Sequence, residues 1–211
     1  MSREWDEIYS AGKQMTRWPW TDLVSAVKRH VGELDDKHVL ELGCGPGANM
    51  PFFFQGGADY WGLDASRAAL EATPPGGIHL MHGDFTQQIP NNEAWDLVCD
   101  RAAVTHNDTT AIKRCLDMVF ERIAPGGHYI GIDWFSREHW ASEEGDKVDA
   151  FTRTNITEGQ FSGVGKVHFS TASHLLELFG QFEIVSLAHK IVSSKTGDPM
   201  FASWNIVARK P

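Results

Sequence analysis

Cysteine is scarce in this chain, and so is positive charge. The three cysteines, Cys44, Cys99 and Cys115, stand far apart in 211 residues and form no CxxC pair. That excludes a disulfide framework and zinc-finger spacing, and leaves them as small core residues. Ten histidines supply no HxH or HxxxH pair, so no metal site is expected. Nineteen Lys and Arg against 28 Asp and Glu give a net charge of −9. Such a surface does not reward broad contact with a phosphate backbone, and nucleic acid is not an expected partner. No apolar run approaches the length that spans a bilayer, and the opening MSREWDEIYS has no apolar signal core. A cytoplasmic protein without a membrane partner is expected.

Apolar and aromatic residues, by contrast, are plentiful. Hydrophobic side chains make up 42% of the chain, with eight Trp and twelve Phe. This is enough for one well-buried core, a single domain over residues 1–211, with aromatic rings to spare for a pocket. TDLVSAVKRHV places Leu23, Val24, Val27 and Val31 on one helical face, with Thr21 as the expected N-cap. HVLELGC, ADYWGLDAS, GIHLMHGD, AWDLVCDRA and HYIGIDWF read as five strands, and RAALEAT as a short helix after the second. From Thr109 the apolar residues Ile112, Cys115, Leu116, Val119, Phe120 and Ile123 make a helical stripe that APGG stops. Residues 136–170 are polar and glycine-punctuated, and read as an insertion. A last helix through HLLELF ends at Gly180, expected in left-handed conformation, and two strands joined by SSKTGDP close the chain as a hairpin. Strand alternating with helix predicts an α/β fold: a Rossmann-like, doubly wound, mostly parallel seven-stranded sheet with a C-terminal antiparallel hairpin.

In such sheets ligands bind beyond the carboxyl ends of the strands. Gly43, Gly45 and Gly47 in VLELGCGPGANM follow the first strand, where bare backbone lets N–H groups approach a ligand that a Cβ would push away. Counted as Gly43, Gly45 and Ala48, the same stretch fits a nicotinamide or flavin enzyme, with Asp64, 21 positions after Gly43, as the acid for the ribose. The glycines therefore predict a ribose-binding acid and leave the cofactor open.

ELGCGPG, GLDAS, GDF, WDLVCDRA and IAPGG occur in an order and at spacings that resemble the class I S-adenosylmethionine-dependent methyltransferases. The opening WDEIYSAGKQMTRWPW resembles the leader of small bacterial members that act on metabolites or sugar precursors. The resemblance implies that Gly43, Gly45 and Gly47 pass beneath the methionine and ribose part of S-adenosylmethionine. It also implies that Glu41 orients its amino group and that Asp64, beside Ala65, accepts the ribose hydroxyls. Asp84 and Phe85 would flank the adenine, and the backbone at Asp100 and Arg101 would face the methionine end. A carboxylate suits a vicinal diol because it accepts two charge-assisted hydrogen bonds.

Residues 1–20 read as a lid: Trp5 and Tyr9, and Lys13 and Arg17, are spaced i, i+4, and Arg17 is a candidate for the cofactor carboxylate. His106 after the fourth strand, Asp133 with Trp134 at the tip of the fifth, and His168 with His139 beside the insertion are candidate catalytic groups, any of which would help only if the acceptor must lose a proton. Gly163, Gly165 and Lys166 would suit a phosphorylated or nucleotide-linked acceptor. The expected function is methyl transfer to O or N of a small molecule, with S-adenosylhomocysteine as product. A nicotinamide-dependent oxidoreductase and an S-adenosylmethionine-binding protein without turnover are the alternatives. The first leaves IAPGG and the final hairpin unexplained; the second follows from a fold that fixes a ligand site better than a chemistry.

Overall fold

Consecutive residues of the central strands bury side chains on opposite faces, and this alternation organises the molecule. The structure is a computed structural model and describes residues 3–74, 79–90, 94–197 and 199–211. Its elements run α1 (Arg3–Ser10), α2 (Thr21–His30), β1 (His38–Leu42), α3 (Met50–Gln55), β2 (Asp59–Asp64), α4 (Arg67–Glu71), β3 (His79–His82) and β4 (Trp95–Arg101). They continue with α5 (Thr109–Arg122), β5 (Ile123–Phe135), β6 (Asp146–Lys147), β7 (Thr152–Thr154), β8 (Val167–His168), α6 (Ala172–Leu178), β9 (Glu183–Ser193) and β10 (Pro199–Arg209). The main sheet has seven strands in the order β3-β2-β1-β4-β5-β10-β9. The first five are parallel, and β10 pairs antiparallel with both β5 and β9.

Leu40, Val98 and Tyr129 face α5 and α6, while their neighbours Val39, Leu97, Cys99 and Ile130 face α2 and α3. Period-two alternation across a sheet covered on both sides explains why the strands read as continuous apolar runs. The stripe on α5 buries Ile112, Cys115, Leu116 and Val119, and full burial of each aliphatic side chain contributes about 1.5–3 kcal/mol. Asp108 caps α5 by accepting the Ala111 N–H at 2.9 Å.

The chain departs from the sequence reading in five places. The first is that Ile123 and APGG, expected as the end of the α5 stripe and its stop, open β5 instead. Helix α2 takes Trp20 as its N-cap, one residue before Thr21, and without a side-chain capping bond. Helix α6 ends at Phe179 with φ −95°, and Gly180 is not left-handed, so its glycine is not demanded by that turn. Helix α3, MPFFFQ, is too short to show a period. Residues 136–170 are not irregular throughout: β6, β7 and β8 form a second small sheet, from strands of two or three residues that are too brief to alternate visibly. Gly77 and Ile78 of the expected third strand, Pro75 and Gly76 before it, and Asp198 of the hairpin connection lie outside the described residues.

Strand order reverses across β1, which has β2 on one side and β4 on the other. In the register Leu42 stands opposite Asp100, so the tips of β1 and β4 are level and open one crevice between them.

Candidate active site

A cavity of about 330 Å³ opens at these tips. Gly43, Cys44, Gly45, Ala48, Asn49, Asp64, Ala65 and Phe85 line one end of it. Gly43 and Gly45 have φ of +66° and +55°, a region that side chains rarely adopt, and a Cβ on Gly43 would overlap the Cβ of Ala103. Asp64 Oδ2 accepts the Gly45 N–H and Oδ1 the Ser66 N–H, both at 2.8 Å. The acid thus ties the glycine turn to β2, and each oxygen keeps a lone pair for a ligand. Burial raises its pKa, partly offset by those backbone bonds. Glu41 also lines the cavity. Asn49 Nδ2 donates to one of its oxygens at 2.7 Å and the Tyr60 hydroxyl to the other at 2.6 Å. Burial pushes Glu41 up to about 7 against those two bonds, a state that a nearby ammonium would reverse.

At the tip of β4 the chain turns sharply, and Asp100 builds the turn. One of its oxygens accepts the Ala103 and Val104 N–H groups, and the other accepts from the Tyr129 hydroxyl and Trp134 Nε1. That turn carries His106 into the cavity wall. His106 Nδ1 donates to the Lys166 carbonyl at 3.0 Å, which leaves Nε2 as a lone-pair acceptor. Burial lowers its pKa to about 4, so the ring is neutral near pH 7.

Arg101 is the only lysine or arginine among the described residues that lines the cavity. Its Nε and Nη2 both donate to Asp133 Oδ2, at 3.2 and 3.0 Å, and its plane lies 3.6 Å from the Trp20 ring centroid. Asp133 is buried and left-handed, with φ +55°. Its other oxygen receives Lys190 Nζ at 2.6 Å and the Ser203 hydroxyl at 2.9 Å. The carboxylate is thus taken up in orienting Arg101, with Nη1 left to a ligand.

The far end of the cavity is aromatic. Trp5 from α1, Phe135 from β5, Phe161 from the insertion and Phe201 from β10 line it, with Gln160 and Val164. Helix α1 is docked by Asp6, whose carboxylate accepts from the Ser66 hydroxyl at 2.8 Å and the Ala68 N–H at 3.0 Å. Helix α1 is therefore anchored beside the residues that hold Asp64.

Of the expected site residues, the cavity gathers Glu41, Gly43, Gly45, Asp64, Ala65, Phe85, Arg101 and His106. It does not gather the others. Gly47 packs toward Thr73, and Asp84 accepts both the N–H and the hydroxyl of Thr86. Asp100 and Asp133 act from behind the wall. His168 is wholly buried between Thr152 Oγ1 at 2.9 Å and His174 Nε2 at 3.2 Å. Arg17 is exposed beyond the end of α1, because the helix stops at Ser10. Lys166 pairs with Asp108 at 2.6 Å, and Gly165 faces the Glu4 side chain. The sequence reading missed Trp20, Asn49, Tyr60, Phe161 and Phe201. Of these only Asn49 carried a signal, as a polar residue just after the glycines.

Residues 39–127 match the family model described as a methyltransferase domain. No curated protein matches the sequence. Among solved structures, an S-adenosylmethionine-dependent methyltransferase from Methanosarcina mazei is 18% identical, with 88% of this chain and 96% of that chain covered and a TM-score of 0.70. The figures are the same for an S-adenosylmethionine-dependent methyltransferase from Mesorhizobium loti. The N-methyltransferase NodS of Bradyrhizobium japonicum, solved with S-adenosylhomocysteine, is 15% identical over 90% of this chain and 86% of its own, with a TM-score of 0.64. The matched segment is a methyltransferase domain, and the chain shares the fold of these solved structures. S-adenosylmethionine is the cofactor on which the first two of those proteins depend. The cavity fits that cofactor chemically: bare backbone at Gly43 and Gly45, a carboxylate with free lone pairs, an acid for an ammonium and a guanidinium for a carboxylate.

Proposed function

We propose that the protein transfers the methyl group of S-adenosylmethionine to an oxygen or nitrogen of a small molecule bound in the aromatic end of the cavity. The observation that carries this reading is the continuity of the cavity, from the glycine turn and Asp64 at one end to Trp5, His106 and Phe161 at the other. Bound there, the cofactor supplies an electrophilic methyl on a positively charged sulfur. The chain supplies placement. Asp64 accepts the ribose hydroxyls, Arg101 takes the carboxylate in the role first assigned to Arg17, and Glu41 faces the amino group. Alignment of acceptor and methyl group accounts for much of the acceleration, with effective molarities of about 10⁵ M or more open to good geometry. Trp5 and the insertion exclude water, and His106 receives a proton from the acceptor.

Calorimetric titration tests the reading. S-adenosylhomocysteine should bind at micromolar or tighter affinity and NAD should not bind. Methyl transfer to members of a metabolite panel then separates an enzyme from a cofactor-binding protein without turnover; NAD binding without S-adenosylhomocysteine binding would overturn both.

A further inference from the structure

The aromatic end of the cavity is also an electrically neutral one. Trp5 meets His106 edge-on at 4.8 Å between centroids, Phe135 meets His106 at 5.7 Å, and Phe135 meets Phe161 at 4.7 Å, all near-perpendicular. Rings packed against one another in this way form a continuous apolar wall on which a further aromatic ring can lie. Two cations lie near this end among the described residues. Lys190, 5.6 Å from the Phe201 ring centroid, is paired with Asp22 and Asp133, and Arg101 is paired with Asp133 and committed to the cofactor carboxylate, while His106 is uncharged. Among the described residues, no unpaired cation at this end is left for a phosphate or a carboxylate on the acceptor.

Besides the Tyr9 hydroxyl, which lies toward Gly45, two polar groups stand at this end, and their roles follow from hydrogen bonds made elsewhere. His106 Nδ1 donates to Lys166, so Nε2 accepts. His139 Nδ1 accepts the Ala141 N–H at 3.2 Å, so the proton of that ring sits on Nε2, 3.1 Å from Gln160 Nε2. Two donors cannot face each other, so a half-turn of the Gln160 amide puts its oxygen on that N–H and leaves its NH₂ to donate into the cavity. The chamber thus offers one acceptor, His106, and one donor, Gln160, inside a box of rings.

From this we infer that the acceptor is an uncharged aromatic or heteroaromatic molecule whose hydroxyl or amine hydrogen-bonds to His106 Nε2, its ring seated among Trp5, Phe135, Phe161 and Phe201. The inference rests on the methyl-transfer reading and narrows it. In the transfer, the lone pair of the acceptor O or N forms the new bond to carbon, the carbon–sulfur bond breaks with its pair returning to sulfur, and the O–H or N–H proton passes to His106 Nε2 and on to water. A weak base is adequate here, because the proton becomes acidic as the bond to carbon forms.

A matched pair of probes, 1-naphthol and 1-naphthyl phosphate, titrated into protein saturated with S-adenosylhomocysteine, tests the inference. The naphthol should bind at least tenfold more tightly than the phosphate. Trp5→Ala and Phe201→Ala should each weaken naphthol about tenfold, the scale of one lost aromatic contact, with S-adenosylhomocysteine affinity unchanged. Preference for the phosphate, or no binding of either probe while S-adenosylhomocysteine still binds, would overturn the acceptor class and leave the cofactor reading standing. Failure of S-adenosylhomocysteine itself to bind would instead remove the reading beneath it.

Discussion

The two ends of the cavity are built by different means. The glycine end is made of backbone at strand tips, held within residues 41–65 by bonds such as Gly45 N–H to Asp64. The aromatic end is made of side chains from α1, β5, β10 and the insertion, brought together only by the tertiary fold. One end fixes a ligand by geometry that a short sequence can specify. The other fits a ligand by shape and polarity that many sequences can supply, which is how one fold serves many acceptors.

Titration should separate the two ends most strongly. His106 and His168 titrate near 4 and 3 when folded, against 6.5 ordinarily, because both are buried. The unfolded chain therefore binds more protons, and stability present above pH 6.5 is lost as pH falls toward 4, by about 1.4 kcal/mol per pH unit for each histidine. Glu41 has the opposite sign: raised to about 7 from 4.5, it contributes most below 4.5, and that contribution is lost as pH rises through 7. Hydrogen exchange between pH 6.5 and 4 should show residues 136–170 opening before the amides of β1 and β2. Simultaneous loss of protection would break the contrast.

Substitution sharpens it further. His106→Gln should lower turnover by about 10²-fold or more, the usual scale for a proton acceptor, and leave S-adenosylhomocysteine affinity intact; unaltered turnover removes His106 from the transfer. Asp64→Ala should do the reverse, costing about 1.5–3 kcal/mol of cofactor affinity, and a calorimetric value equal to wild type refutes the ribose assignment. Arg101→Gln should weaken S-adenosylhomocysteine about tenfold while leaving 5′-methylthioadenosine, which has no carboxylate, unaffected. Parallel losses for both ligands would mean that Arg101 only supports the wall.

The same division explains what could be read from the chain. The sheet, its closing hairpin and the residues around Gly43, Gly45 and Asp64 were legible because period-two strands and glycine turns are local patterns. Arg101 was expected to contribute only backbone. Its side-chain role depends on Asp133 from β5 and Lys190 from β9, partners that no spacing reveals. His168 read as a candidate base because it flanks the insertion, yet burial against His174 holds it inside. Arg17 fitted a helical spacing that ended seven residues too early, at Ser10. The rings Phe161 and Phe201 looked like any core phenylalanine until the fold turned them to one chamber.

A crystal structure with S-adenosylhomocysteine tests the central claim most directly. The predicted result is a nucleoside with its ribose hydroxyls on Asp64 and its sulfur directed toward His106 and the ring of Phe161. A ligand lying wholly within the aromatic chamber, or a cleft left empty in the presence of saturating ligand, would contradict it.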